Sequence, residues 1–203
     1  GLGDVYKRQI EGYDISHMQG TDVVASMVVF TNGVSNKAEY RKFKTKINQN
    51  NDFYNMNETI KRRLSEKNRK AWGTPSLVLI DGGKGQLSAA AAAMRSLDLE
   101  QIMLVGLVKP PKRHNEISHL LVFGHEDRPI PFDRNSLAFR LILHIREETH
   151  KTAIEFHRKR REKRDFTSEL SEIPFIGDKR KMKLLRNFGS IERIAKADVN
   201  ELR

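Results

Sequence analysis

The chain has 203 residues, 38% of them hydrophobic, which is enough to bury the core of one good-sized domain and leaves room for a small appended module. A net charge of +11 indicates a polyanionic partner, most often nucleic acid, although ribosomal and membrane-surface proteins share that balance. The sequence contains no cysteine, no apolar stretch near the length of a membrane span and no signal-peptide pattern. These features exclude a disulfide framework and predict a cytoplasmic protein without a membrane partner.

Residues 1–9 show no usable periodicity and are assigned no structure. Three strands are predicted after them, at residues 10–17, 23–30 and 39–46, and the Asn32-Gly33 pair between apolar runs is a strong hairpin signal. Asp52 is then predicted to cap a helix. The apolar residues of that helix recur at helical spacing: Phe53, Met56, Ile60 and Leu64.

Residues 77–80 are predicted to form a strand that ends on a carboxylate. They are all apolar and too few for a helix, a pattern that favours a strand covered on both faces of a parallel sheet. Asp81 follows at the carboxyl end, where open α/β sheets place their ligands. Beyond it come the residues of a tight turn, Gly82, Gly83, Lys84 and Gly85. An alanine-rich helix at residues 88–94 would direct free N–H groups, with Lys84 beside them, towards a phosphate. A helix cap and a plain turn are an equal alternative from this stretch alone.

The next predicted elements are a buried strand at residues 103–108, a basic loop broken by two prolines, and a small hairpin at 120–123 and 129–132. A long helix is predicted from residue 136 to about residue 163. Its buried stripe contains Phe139, Ile142, Ile145, Thr149, Ala153 and Phe156. The helix ends in a basic run that includes Arg158, Lys159, Arg160 and Arg161. Such a run is usually a solvated face, but here it leads into a second signal typical of DNA binding.

Residues 165–203 form a small helical module with a turn at 174–177 and a helix at 178–187. The module resembles a helix-hairpin-helix, in which the turn around Gly177 offers backbone N–H groups to a phosphate while Lys179 and Arg180 supply positive charge. A plain helical hairpin is the alternative. A paired second hairpin would be expected beyond Arg203, so the module is interpreted as incomplete.

Two aspartates are candidates for a metal site. Asp14 lies late in the first strand, and if that strand pairs in parallel with the strand before Asp81, both carboxylates meet at one edge. Carboxylate and phosphate oxygens suit Mg²⁺ or Mn²⁺. On the long helix, Arg146, His150 and His157 lie near one face. The two histidines are separated by about 10.5 Å of helical rise, so at most one is a metal ligand or proton donor, and the other is expected to reach a phosphate or a carboxylate.

Several motifs in order resemble the carboxyl-terminal half of UvrC, a nuclease subunit of the bacterial nucleotide excision repair complex. They are YDISHMQG (13–20), VASMVVF (24–30), EYRKF (39–43), LIDGGKGQ (79–86), REETH (146–150) and FHRKR (156–160). The resemblance implies a ribonuclease H-like nuclease that makes the 5′ incision, followed by a tandem helix-hairpin-helix domain. It implies a catalytic triad at Asp14, Asp81 and His150, and a further acidic residue tied to 5′ incision at Asp52.

The sequence departs from the family pattern at two positions: Asn51 stands where an Asp often precedes Asp52, and Gly12 stands where Cys is often found. The resemblance also implies an amino-terminal nuclease for the 3′ cut and a segment that contacts a UvrB–DNA complex, neither of which this sequence includes.

The sequence therefore predicts an α/β protein, with a ribonuclease H-like mixed sheet flanked by helices over residues 10–164 and an all-α helix-hairpin-helix module over 165–203. The predicted function is a divalent-metal-dependent endonuclease acting on damaged duplex DNA. The alternative is a non-catalytic DNA-binding module that keeps the ribonuclease H-like sheet as a scaffold. In the first case Lys84 would help neutralise the scissile phosphate.

Overall fold

The computed structural model describes residues 8–17, 23–44, 51–110, 116–171, 173, 176–198 and 200–201. The chain divides into two compact units, Gly1–Ala153 and Ile154–Arg203. The division predicted at residue 164 stays a prediction. Within the described part of the chain, no helix is both long enough and apolar enough to cross a membrane.

The first unit is built on one mixed sheet, in which the described residues contribute eight strands. These are β1 Gln9–His17, β2 Val23–Thr31, β3 Val34–Ser35, β4 Arg41–Lys44, β5 Leu77–Ile80, β6 Met103–Val108, β7 His119–Val122 and β8 Ile130–Pro131. The order is β3-β2-β1-β5-β6-β7-β8, with β4 paired to β2. Strands β1, β5 and β6 are parallel neighbours, while β2, β7 and β8 pair antiparallel. The sequence order of three strands, a helix, a buried strand and another helix predicts an antiparallel meander extended by parallel pairing. This is confirmed, because β2 pairs antiparallel with both β1 and β4, and β1 pairs in parallel with β5.

Helices cover both faces of the sheet, because the central strands are apolar on both sides. Those of the first unit are α1 Asp52–Arg63, α2 Glu66–Trp72 and α3 Lys84–Arg95, together with the start of α4 Leu137–Ser171; α5 Asp178–Phe188 and α6 Ile191–Lys196 lie in the second unit. On one face, Ile80 of β5 joins a core with Met56 of α1 and Leu87 of α3. On the other, Leu79 joins a core with Ile145 of α4. The fully apolar β5 is thus buried on both sides, as predicted.

Several predicted bounds were wrong. The third predicted strand, 39–46, is interrupted by a 3-10 helix at Lys37–Glu39, so that β4 begins at Arg41; residues 45–50 lie outside the described part. Helix α3 begins at Lys84 rather than residue 88, because the N–H of Leu87 already donates to the Gly83 carbonyl, and α4 extends to Ser171. Helix α2 was not predicted. The Asn32-Gly33 turn is confirmed, since both residues have the positive φ values, 53° and 82°, of a tight hairpin.

Gly12 is the point at which α4 approaches β1 most closely. A Cβ there would lie 2.6 Å from Ile145 Cγ2 and 2.8 Å from Thr149 Oγ1, two buried side chains of α4. A larger residue at position 12 would therefore displace the helix. Because Gly12 has no side chain, α4 lies close to the sheet there. This contact fixes the distance between the sheet and the turn of α4 that carries Arg146 and His150.

A buried ion pair joins α1 to β1. Arg63 and Glu11 are both fully buried, and the Arg63 Nε and a terminal amine both donate to Glu11 Oε1. The Tyr13 hydroxyl donates to Glu11 Oε2 at 2.6 Å, and burial together with this carboxylate raises the pKa of Tyr13 well above its usual value. Arg63 also donates to the Gly73 carbonyl at 2.9 Å. These contacts anchor the last turn of α1.

Candidate active site

Asp14 and Asp81 lie side by side at the carboxyl edge of the sheet. Strands β1 and β5 are parallel with Tyr13 opposite Ile80, so the next residue on each strand is an aspartate. The Asp81 N–H donates to the Tyr13 carbonyl at 2.9 Å, which continues the pairing past the end of β5. The side chains are 14% and 4% exposed for Asp14 and Asp81. Two carboxylates are thereby held together away from water.

Two cations face Asp81. The Lys109 Nζ lies 3.2 Å from Asp81 Oδ2, and the Arg146 Nε lies 3.6 Å from Asp81 Oδ1. Arg146 is a sequence-predicted site residue, whereas Lys109 was predicted only as part of a loop. Its position follows from topology: Gly106 of β6 lies opposite Ile80, so the residues after β6 reach the same sheet edge. A lysine directly after the next parallel strand was the signal that could have revealed it.

The electrostatic environment of Asp14 favours its neutral form. Burial, and after it the negative charge of Asp81, raises the pKa of the Asp14 carboxyl to about 7. Lys109 and Arg146 act in the opposite direction, and Asp52 adds a smaller upward effect. Burial and the neighbouring carboxylates together therefore outweigh the effect of the two cations on Asp14.

Asp52 reaches this site from the start of α1. The cap of α1 is Asn51, not Asp52 as predicted: its Oδ1 accepts hydrogen bonds from the N–H groups of Phe53 and Tyr54, both at 3.1 Å. Asp52 is thereby left as the first helical residue, and its Oδ2 accepts a hydrogen bond from Gln86 Nε2 at 3.4 Å. Asn51, which stands where the family often has an Asp, therefore still caps the helix.

The glycine turn after Asp81 packs closely against the start of the helix that follows it. A side chain at Gly82 would overlap Gln86, the residue that contacts Asp52. Gly83 caps α3 without a side-chain hydrogen bond, and Lys84 is the exposed first residue of that helix. The first N–H groups of α3 and the Lys84 ammonium are thus grouped at one helix end, as the sequence predicted.

His150 lies at the rim of the site. Its Nδ1 is 3.9 Å from Asp14 Oδ2, which is beyond hydrogen-bonding distance, and its side chain is 59% exposed. Arg146, one turn earlier on α4, is 11% exposed. His157 also lies on α4, but its side chain is outside the described part of the chain.

The available metal donors are the carboxylate oxygens. Among the described residues, no group of three or more His, Asp or Glu side chains is arranged to hold a metal ion. Asp14 and Asp81 supply two hard oxygen ligands, and Asp81 Oδ1 accepts no hydrogen bond from the described residues. The predicted ligand set of Asp14, Asp81 and His150 stays a prediction.

In the second unit Gly177 is described, whereas residues 174 and 175 of the predicted turn lie outside the described part of the chain. The Gly177 carbonyl accepts hydrogen bonds from the N–H groups of Arg180 at 2.9 Å and Lys181 at 3.1 Å, so Gly177 lies at the start of α5. An open cavity of about 370 Å³ is lined by Gly177, Asp178, Lys179 and Arg180. In the basic run, Arg158 is exposed, and the side chains of Lys159, Arg160 and Arg161 lie outside the described residues.

Several known proteins are similar to this chain. The catalytic domain of human endonuclease V superposes on 70% of this chain and 74% of its own length, with a TM-score of 0.34 and 15% identity, values that support no inference about function. UvrABC system protein C of Acidobacterium capsulatum is 45% identical over 96% of this chain, and that of Koribacter versatilis is 46% identical over 96%. The chain spans 30% and 31% of the lengths of these two relatives.

Two family models match the chain. Residues 4–154 match the UvrC RNAse H endonuclease domain, and residues 167–203 match a SAM-like helix-hairpin-helix tandem. The first match covers the mixed sheet with Asp14, Asp81 and the α4 turn that carries Arg146 and His150. The chain therefore belongs to the UvrC family.

Proposed function

We propose that this chain is a divalent-metal-dependent nuclease that makes the 5′ incision beside a lesion during bacterial nucleotide excision repair. The observation that carries the proposal is the convergence of Asp14 and Asp81 at one sheet edge, with Lys109 and Arg146 facing them. This groups metal-binding oxygens with cations that suit a phosphate. The proposed substrate is damaged duplex DNA, the proposed compartment is the cytoplasm, and in the longer family protein the proposed partner is a UvrB–DNA complex.

The residues present fit Mg²⁺ or Mn²⁺. Mg²⁺ is commonly held by one or two carboxylates, with water and substrate phosphate oxygens as the other ligands. Asp14 and Asp81 would be those carboxylates, with His150 as a further ligand or proton donor. Burial, and after it the charge of Asp81, raises the pKa of Asp14, and a bound cation would favour the ionised form of this carboxyl. When bound, the metal would activate water and stabilise charge on the scissile phosphate.

The surrounding residues would hold the substrate. Lys109 and Arg146 place positive charge next to Asp81, where the oxygens of a bound phosphate would gain from it. Lys84 and the first N–H groups of α3 would contact a neighbouring phosphate. Asp52, which Gln86 orients by a hydrogen bond, would add a carboxylate at the same edge. His150, whose side chain is 59% exposed, is suited to move a proton at the rim.

The second unit would also bind the DNA backbone. Gly177 stands at the start of α5, and Lys179 and Arg180 are exposed beside it. Together with Arg158–Arg161, these groups would contact phosphates rather than base edges, so binding would depend little on sequence.

A non-catalytic DNA-binding role is the second candidate. The observation that favours it is that Asp81 already pairs with Lys109 and Arg146, as it would in a site that has lost its metal. Nicking of supercoiled plasmid with Mg²⁺ or Mn²⁺ separates the two, with a chelator as control. Under the nuclease proposal, wild type nicks only with metal, Asp81→Asn loses nicking but keeps DNA binding, and Asp98→Asn, which changes an exposed loop aspartate, behaves as wild type. Metal-independent activity, or full activity of Asp81→Asn, contradicts the nuclease proposal.

A further inference from the structure

A second basic site lies at the edge of the sheet formed by β4, where the ends of α1 and α2 meet it. The surface there contains a cavity of about 420 Å³, which is called the edge pocket hereafter. Its lining consists of Arg41, Lys42, Phe43, Arg62, Ser65, Lys67, Asn68 and Trp72. None of these residues belongs to the candidate active site.

Two arginines of the edge pocket are held in place by backbone carbonyls and aromatic rings. One Arg41 terminal amine donates to the Ala38 carbonyl at 2.8 Å and to the Tyr40 carbonyl at 2.9 Å, and the guanidinium lies 5.0 Å from the centre of the Trp72 ring. Arg62 donates to the Lys44 carbonyl at 3.2 Å and lies 5.6 Å from the centre of the Phe43 ring. Guanidinium groups held in this way lose little further freedom when they bind an anion.

Four basic side chains line the edge pocket: Arg41, Lys42, Arg62 and Lys67. Within the described part of the chain, no carboxylate lines it, and none forms an ion pair with Arg41, Arg62 or Lys67. The carboxylate of Glu66, next to Lys67 in sequence, pairs instead with Lys70 at 2.6 Å. Cations gathered without a carboxylate repel one another, and an anionic ligand would relieve that repulsion.

The size of the edge pocket favours a polymer over a single ion. Its volume equals roughly 14 water molecules in the liquid, more than one phosphate group fills. The rings of Phe43 and Trp72 form part of the wall, and aromatic rings beside cations are typical of surfaces that follow a nucleic-acid strand.

The distance to the candidate active site is short. Arg62 is ten residues along α1 from Asp52, about 15 Å of helical rise, or roughly four base-pair steps of duplex. Lys42 lies opposite Ser26, which lies opposite Asp14, so two strand spacings, about 10 Å, separate their backbones. A strand cut at the aspartates would pass within reach of the edge pocket.

We propose that the edge pocket binds the sugar–phosphate backbone of DNA flanking the cut. The proposal rests on the proposed function, in that DNA is the substrate. Arg62 and Lys67 would each contact a phosphate, and the stacked Arg41 would hold the strand beside Trp72.

The chain contains one tryptophan, Trp72, which lines the edge pocket. Tryptophan-selective fluorescence therefore reports on this pocket. The full 203-residue chain is titrated, in a chelator, with a short fluorescein-labelled duplex for anisotropy and with the unlabelled duplex for Trp72 emission. Both signals should change with the same midpoint. Binding seen by anisotropy with unchanged Trp72 emission would overturn the proposal. A Trp72 response to polyglutamate at lower concentration than to DNA would also overturn it, because the occupant would then be an acidic protein segment.

Charge-matched variants locate the contact. Arg62→Gln with Lys67→Gln should weaken binding by about tenfold or more in 0.1 M salt, and should flatten the slope of log K against log[salt] by about 1 to 2. Lys61→Gln with Lys70→Gln removes the same charge from exposed positions on α1 and α2 outside the edge pocket, and should leave both values close to wild type. Equal weakening by the two pairs would show a diffuse charge effect and contradict a pocket.

Two controls keep the result interpretable. Lys67→Gln alone breaks no hydrogen bond among the described residues, so it tests the site if the Arg62 change lowers the unfolding temperature. Plasmid nicking by the same preparations separates this inference from the proposed function. A chain that nicks DNA while Trp72 is silent contradicts only the edge pocket, whereas a Trp72 response without nicking contradicts only the nuclease.

Discussion

The Nζ of Lys109 lies 3.2 Å from Asp81 Oδ2, so the loop after β6 supplies a cation to the aspartate that ends β5. Parallel pairing of these strands brings the two residues together although they are 28 positions apart. In the proposed site this lysine places a positive charge beside Asp81 and lowers the pKa of Asp14.

Replacement of Lys109 by Met keeps most of the side chain and removes its charge. We expect plasmid nicking near pH 7 to fall by about 100-fold, the loss typical of one preorganised charge-stabilising group. Because Lys109 lowers the pKa of Asp14, the remaining activity should need a higher pH than wild type. The measurement is the nicking rate from pH 6 to 9, with Lys61→Met as the control. An unchanged rate and pH profile would remove Lys109 from the site.

The stability of the metal-free chain should fall as pH rises towards 7. In the unfolded chain Asp14 loses its proton near its ordinary pKa of 3.8, whereas in the folded chain it keeps the proton up to a pKa of about 7. Between these values the folded state binds more protons, so the free energy of unfolding decreases with pH. The loss amounts to a few kcal/mol at most.

Asp14→Asn removes this contribution. We expect the variant to show a flatter dependence of unfolding free energy on pH between 4 and 7, and greater stability than wild type at pH 8. Urea unfolding in EDTA at several pH values measures both. A pH dependence identical to wild type would mean that burial and the charges of Asp81, Asp52, Lys109 and Arg146 do not create the environment described for Asp14.

Arg63→Met should be strongly destabilising. It leaves the Glu11 carboxylate buried without its guanidinium, a change that typically costs about 3 to 5 kcal/mol. Adding Glu11→Gln to the same chain should recover part of the loss, because no buried charge then remains. The control is Glu66→Gln, which breaks the exposed Glu66–Lys70 pair and should cost about 0.5 kcal/mol or less. Additive effects of the Glu11 and Arg63 changes would argue against a coupled pair.

Gly12→Ala should destabilise the first unit by about 1 to 3 kcal/mol, the usual cost of overpacking a buried contact. The new methyl group would meet Ile145 and Thr149, so α4 would have to move, and Arg146 and His150 with it. We therefore expect reduced nicking as well as a lower unfolding temperature. Gly83→Ala is the matched control for stability, since a Cβ there has no neighbour within 4 Å. A Gly12→Ala variant as stable as wild type would show that α4 adjusts without cost.

Lys179→Ala with Arg180→Ala should weaken DNA binding equally for all sequences. If both side chains contact phosphates, the slope of log K against log[salt] flattens by about 1 to 2. Arg193→Ala with Lys196→Ala removes the same charge from exposed positions on α6 and should change the slope less. A loss of binding confined to one DNA sequence would indicate contacts with base edges and would contradict binding through phosphates.

The sequence by itself predicted where in the chain the candidate site lies. The four apolar residues before Asp81 predict a strand buried on both faces, and the carboxyl end of such a strand is where a ligand site forms. This local pattern predicted β5 and the position of Asp81, and the Asn32-Gly33 pair predicted the hairpin between β2 and β3. The motifs between residues 13 and 160 identified the family. All of these signals depend on neighbouring residues, so they are visible without coordinates.

The tertiary structure decided which distant side chains meet. Lys109, the raised pKa of Asp14 and the edge pocket each depend on distances between segments that are far apart in sequence. The same holds for the approach of α4 to Gly12 and for the cap, which moved from Asp52 to Asn51 and left the aspartate directed at Gln86. The physical reason is that electrostatic energies and steric overlap depend on separation and burial in space, and only the packing of helices against the sheet fixes those values.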